Sequence, residues 1–251
     1  MVRVIFTLLL VVGMFGARAQ TAATIDSLDE RVFLLNELEF FIDSTNTLSF
    51  EEISTTRFSN LFVRRPTYQN KDYRSGESYW IRFSINHIPT EKVWLIEFYD
   101  QTIDHIEAYV PRPDGTYEKE VMGDALTFQN RKFAHKNFEV QLYPHENSVQ
   151  YYYFRVQSHE FADIRIAFRS VDRFISYSLN EYFLFGTFYG MIVIIALYNF
   201  LVFLAIREIK NVYYIFYIIS VALYAMSLDG VGFQYIWSNY PQWNNYASGI
   251  C

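Results

Sequence analysis

Trp80, Arg82, Ser84 and Asn86 occupy every second position of SYWIRFSINH. In an extended chain that spacing puts all four on one face. An indole platform beside hydrogen-bonding groups can stack on a sugar ring and hold its hydroxyls. Arg131 and Arg155 are two further donors that neighbouring strands could bring to the same face. The plainer alternative is a solvated sheet face with a half-buried tryptophan. The expected ligand site is therefore Trp80, Arg82, Asn86, Arg131 and Arg155, for a carbohydrate or small metabolite.

Catalytic patterns are scarce. The chain has no Gly-x-Ser-x-Gly, no phosphate-cradling loop and no His-Glu-x-x-His. Its five histidines, His87, His105, His135, His145 and His159, are scattered, and none stands at a metal-like spacing from another ligand. Asp100 and Asp104 could form a glycosidase pair, but their place at a turn between strands suits solvated loop residues better. The expectation is no enzyme, no cofactor and no metal.

The elements that would position these residues are strands. Tyr79, Ile81, Phe83 and Ile85 form the apolar face opposite the Trp80 face. VWLIEFYD (93–100) is apolar on both faces, which suits a central strand. IDHIEAYVP (103–111) and TYEKEVMG (116–123) flank Pro-Arg-Pro-Asp-Gly, a turn in which proline presets φ and glycine accepts a positive φ. KNFEVQLYP (136–144), VQYYYFRVQS (149–158) and ADIRIAFRS (162–170) alternate likewise, and ELEFFID (37–43) could open the series. Ser49-x-x-Glu52 has the form of a capping box and predicts a short helix over 50–62. Residues 20–36 read as a flexible segment. Seven or eight strands about ten residues apart, with no crossover helices, predict an antiparallel jelly roll or β-sandwich over 37–174.

Two apolar runs follow. Tyr182 to Ile206 gives 25 residues without a charge, enough to cross a bilayer of ~30 Å. Residues 207–211 form a charged loop, 212–228 a second span, and 229–251 an aromatic tail. Arg207 and Lys210 both lie in that loop, which places it in the cytoplasm by the positive-inside rule. MVRVIFTLLLVVGMFGARAQ has the layout of a signal peptide cut after Ala19, which puts the strand-rich part outside independently. Residues 20–180 carry 17 Lys/Arg against 24 Asp/Glu, so nucleic acid is not an expected partner. The single cysteine, Cys251, leaves no disulfide in the exported part.

YWIRFSINH, VWLIEFYDQTIDHIEAYVPRPDGTY, GDALTFQNRKFAHKNFEVQLYP and YFRVQS together resemble the second type of extracellular domain of the bacterial seven-transmembrane receptors with diverse intracellular signalling modules. GTFYGMIVIIALYNFLVFLAIREIKNVYYIFYIISVALYAMSLDGVGFQYIW is similar to the start of that family's membrane domain. The resemblance implies a jelly roll similar to carbohydrate-binding modules, placed in the periplasm above the inner membrane. It also implies seven helices and a cytoplasmic output such as a kinase, a cyclic-di-nucleotide synthase or a phosphatase. Two helices fall within these 251 residues, so the expectation is the front end of a receptor, a fragment without its output, and possible homodimers. The rival expectations are a membrane-anchored adhesion or assembly module that binds another envelope protein, and a surface glycosidase or esterase.

Overall fold

The computed structural model describes residues 23–24, 30–86, 92–143 and 149–244. The signal-peptide reading, His87 and His145 lie outside these residues. Two sheets face each other. The larger is built from β1 (Ala23–Thr24), β3 (Glu39–Asp43), β4 (Val63–Arg64), β5 (Ser78–Asn86), β7 (His105–Pro111), β8 (Tyr117–Met122) and β10 (Val149–Gln157). Its order is β4-β3-β5-β10-β7-β8, antiparallel throughout, with β1 added in parallel to the end of β5. The smaller sheet, also antiparallel, joins β2 (Glu30–Leu34), β6 (Trp94–Phe98), β9 (Phe138–Gln141) and β11 (Arg165–Ser170) in the order β2-β11-β6-β9. This is the expected antiparallel sandwich.

Alternation decides what lies between the sheets. Tyr79, Ile81, Phe83 and Ile85 of β5 point inward with Ile106, Ala108 and Val110 of β7 and Tyr152, Phe154 and Val156 of β10. Trp94, Ile96 and Phe98 of β6 meet them from the other sheet, and Phe98 contacts Phe154 edge-on at 5.2 Å. Each fully buried side chain of this size contributes roughly 1.5–3 kcal/mol. The central place expected for residues 93–100 holds: β6 is flanked by β11 and β9, and all five of its residues are buried.

Three local expectations change. Residues 30–34 are a strand, not a flexible segment, because Phe33 completes the core while Glu30 meets arginines of β11 and the following helix. The capping box is present, with Ser49 N–H donating to Glu52 at 2.9 Å, but the helix breaks at Ser54-Thr55 into α1 (Phe50–Ile53) and α2 (Thr56–Ser59). Hydroxyl side chains there bond local carbonyls and compete with helix propagation. The first long helix, α3 (Val171–Ile206), starts eleven residues before the expected span and follows β11 without a linker. Ser170 accepts from Arg173 N–H as its cap, and Asp172 suits the positive end of the helix dipole.

At 36 residues α3 is about 54 Å long, long enough to cross a ~30 Å hydrocarbon layer with several turns to spare. The uncharged part, from Tyr182, exposes Phe183, Leu184 and Ile194 by about two thirds or more, an apolar surface that suits lipid and not water. Only Arg207 and Glu208 separate α3 from α4 (Ile209–Leu228), which returns antiparallel and ends near the sandwich. Tyr189 Oη donates to Asp229 at 2.7 Å and fastens the hairpin. The short α5 (Val231–Tyr235) then lies against the sandwich, where Gln234 donates to the Ala134 carbonyl and Phe128 N–H to the Ser238 carbonyl.

Candidate functional site

The face expected to bind ligand is covered by the protein itself. Trp80 is wholly buried and Arg82 is 8% exposed, because the α1–α2 segment folds over β5, β7 and β10. Ile53 and Phe62 of that segment join Trp80, Tyr109 and Tyr153 in a second apolar cluster, with Phe50 stacked on Tyr109 at 4.1 Å. Arg82 is consumed internally: it pairs with Glu39 at 2.8 Å, donates to Ser59 and lies over Phe62. Ser84 is buried, and Asn86 is half-buried at the strand end opposite Val149. The correction has a simple cause. Period two identifies a face but does not say what covers it.

Nor do the two arginines join that face as a pair. Arg155 does lie beside Trp80, and it bonds Ser78 and the Asn46 carbonyl at the edge of an open depression of ≈ 680 Å³. Tyr117, Lys119 and Glu107 line the same depression. Arg131 belongs to another region. Its Nη1 donates to the carbonyls of His135, Lys136 and Asn137, and its guanidinium rests on Phe128, Phe138 and Phe233. Burial pushes its pKa down to about 10. The Asp100 and Asp104 carboxylates are held by hydrogen bonds in the loops. Asp100 accepts from Thr102 and from Asp163 N–H, and Asp104 accepts from His159.

The outer face of the smaller sheet holds the densest buried charge. Glu97 of β6 and Glu139 of β9 are direct cross-strand partners on that face, both nearly inaccessible. Like charges so placed repel, and their neighbours supply the balance. Arg169 of β11, fully buried, reaches Glu97 at 3.0 Å and Glu30 at 2.7 Å. His135 Nδ1 is 2.6 Å from Glu139, and its Nε2 is 3.8 Å from Glu181 on α3. Lys136 pairs with Glu181 at 3.0 Å, Arg173 with Glu30 at 2.9 Å, and Asn137 donates to Glu97 at 2.6 Å. The first turns of α3 close the cluster, with Phe174 edge-on to His135 and Tyr177 over Arg169.

The titration behaviour follows from this packing. Burial alone would lower the His135 pKa, but hydrogen bonds to Glu139 and Glu181 outweigh it and the net shift is upward. Burial lifts Glu139 to about 7 even though His135 pulls it down. Burial also raises Glu97, against the pull of Arg169 and Asn137. Glu139, His135 and Glu97 therefore all hold a proton more tightly than their free side chains do.

Ligand-type atoms of Glu97, His135 and Glu139 lie within 4.8 Å of one another, a grouping that corrects the reading of His135 as isolated. Arg169 and Asn137 already engage the Glu97 oxygens, so the charge is balanced by side chains. Sequence reasoning missed the cluster because Glu97 and Arg169 lie far apart in the chain. A signal was present, however. A glutamate within a strand that is apolar on both faces needs a buried partner.

Two family models cover the chain. Residues 35–170 match 7TMR-DISM extracellular 2, and residues 181–251 match 7TM diverse intracellular signalling. The chain belongs to the 7TMR-DISM family. It is a membrane protein with an extracellular domain followed by helices long and apolar enough to cross a membrane. No curated protein matches it. In this 7TMR-DISM chain the two matched segments are separated by residues 171–180. Those are the first turns of α3, which close over Arg169 and His135.

Proposed function

We propose that the protein is the sensory part of a bacterial inner-membrane receptor. A carbohydrate or small metabolite binds its periplasmic sandwich, and α3 carries the consequence into the membrane. The carrying observation is the continuity of α3. One helix leaves β11 with no linker, is held to the smaller sheet by Glu30, Lys136 and His135, and becomes the first span. A helix fastened this way has few independent motions, so a shift of the sheet moves the span. Ligand would act only through different affinities for two positions of α3.

The depression beside Arg155, with Tyr117, Lys119 and Glu107, has the mixture of aromatic and charged groups that suits a saccharide. We read the protein as a binder and not as an enzyme, since the Asp100 and Asp104 carboxylates are engaged in loop hydrogen bonds. The test is hydrogen exchange on the chain in nanodiscs during titration with a panel of mono- and disaccharides and small metabolites. The reading expects a panel member to bind and to change protection within residues 171–181. A ligand that binds without altering that segment would remove the coupling part of the proposal.

A further inference from the structure

A second cavity, of ≈ 240 Å³, lies between the loops of the sandwich and the outer ends of the membrane helices. Asp104, Asp124 and Glu160 contribute to it from the sandwich, and Leu228, Gly230 and Phe233 from α4, the turn after it and α5. Its acidic wall is built by a close backbone approach. Gly123 has φ +152°, and a Cβ there would stand 1.9 Å from the Asp104 carbonyl oxygen. Asp124 N–H donates to the Ile103 carbonyl and Ala125 N–H to that of Asp104, which draws Asp124 alongside Asp104. The other wall is fixed too. Gly230 sits with positive φ against Gln101, whose amide donates to the Leu228 carbonyl, and Asn244 donates to the Asp124 carbonyl.

Asp124 is 6% exposed, and its Oδ1 has no hydrogen-bond partner among the described residues. Two facing carboxylates are both acceptors, so a donor must come from outside. A proton is one solution: burial, the Asp104 charge and the Asp104 hydrogen bond raise Asp124 to about 8. The charged groups around it are Asp100, Asp104, Glu160, His159 and Arg131. Arg131 is directed at three backbone carbonyls, and His159 is spent on Asp104. The excess charge in the gap is negative.

We propose that this cavity binds a small organic ammonium ion, with its N–H donors between Asp104 and Asp124 and its alkyl part against Leu228 and Phe233. An ammonium brings several donors on one centre, which suits a pair of carboxylates. A metal ion fits less well, because the group of three ligand-type atoms within 4.8 Å found among the described residues is at Glu97, His135 and Glu139 instead. Binding stands on this geometry alone. Its effect on α4 and α5 rests on the receptor reading above, whose own test reads residues 171–181 and can fail separately.

The test is calorimetric titration of the chain in nanodiscs at pH 7 with propylamine, 1,4-diaminobutane, 1-propanol and calcium chloride. An amine should bind at one site per chain. 1-Propanol, lacking the charge, should not bind, and calcium should not displace the amine. Asp124→Asn keeps a donor toward Asp104 but removes the charge, and should weaken amine binding by about tenfold or more. Asp114→Asn, in the distant β7–β8 turn, should leave it unchanged. With the unaltered protein, amine binding should release up to about one proton, seen as heat that varies with the buffer's ionisation enthalpy. Binding of neither amine, equal binding of 1-propanol, displacement by calcium, or an Asp124→Asn protein that binds the amine normally would overturn the proposal.

Discussion

On the outer face of the larger sheet, Trp80, Tyr109 and Tyr153 are covered by residues 48–62 in an aromatic cluster, with the Arg82–Glu39 ion pair beside it. On the outer face of the smaller sheet, Glu97, Glu139, Arg169 and His135 are covered by the helix that becomes the first span. Both faces are closed, but by different means. Apolar packing is insensitive to pH and tolerates little movement, because close-packed side chains have few alternative arrangements. A charge cluster containing a histidine can change its balance within the neutral range. The lid made by the domain itself is of the first kind, and the contact with the membrane helix is of the second.

The largest effects should come from removing the centre of each cover. Trp80→Ala should destabilise the sandwich by about 3–5 kcal/mol, as expected for a wholly buried tryptophan. Arg169→Met should cost a comparable ~3–5 kcal/mol, because it strands Glu97 without a counter-charge. The two should part company on repair. Adding Glu97→Leu to Arg169→Met should recover much of the loss, since a dry apolar pair often replaces a buried ion pair. Denaturation followed by tryptophan fluorescence measures all three. A Trp80→Ala protein of nearly normal stability would mean that the α1–α2 cover is open.

A smaller effect separates the two faces by pH. Glu139 and His135 both have folded pKa values above their ordinary 4.5 and 6.5. Each binds its proton more tightly in the folded state, so the stability it contributes is complete below its ordinary pKa and is lost as pH rises through the folded one. The melting temperature should therefore fall from pH 5 to pH 8. His135→Gln with Glu139→Gln should reduce that slope, leaving the part due to Asp124 and Glu97, whose pKa values burial also raises, whereas Trp80→Ala should lower the whole curve and keep its slope. A flat profile in the unaltered chain would break the distinction drawn between the faces. Ser49→Ala, which removes the capping box of the α1–α2 cover, should cost about 1 kcal/mol.

Much of the fold was legible in the sequence. Alternation in SYWIRFSIN located β5 and its inward face, and the proline-glycine turn marked the β7–β8 hairpin. Two apolar runs predicted the two long helices. Boundaries failed where tertiary contacts extended an element. The sandwich was expected to end at 174 and the span to begin at Tyr182, yet the sheet beneath supplies partners for the charges of residues 171–181 and one helix runs through them. Glu30–Leu34 looked loose because its charged residues hid an edge strand whose partner, β11, lies some 130 residues on. The candidate site was less legible. Trp80 and Arg82 were correctly placed on one face, but what lies on that face comes from residues 48–62.

By itself the sequence determined the period-two strands, their inward apolar face and the helical hairpin, since each depends on side chains close together in the chain. Tertiary structure alone decided what covers each face, which charges met and where the cavities lie. Those depend on residues brought together across long separations: Glu97 with Arg169, His135 with Glu181, and Asp124 with the end of α4. A carboxylate in a strand announces that it must be satisfied. Only the folded chain shows by whom.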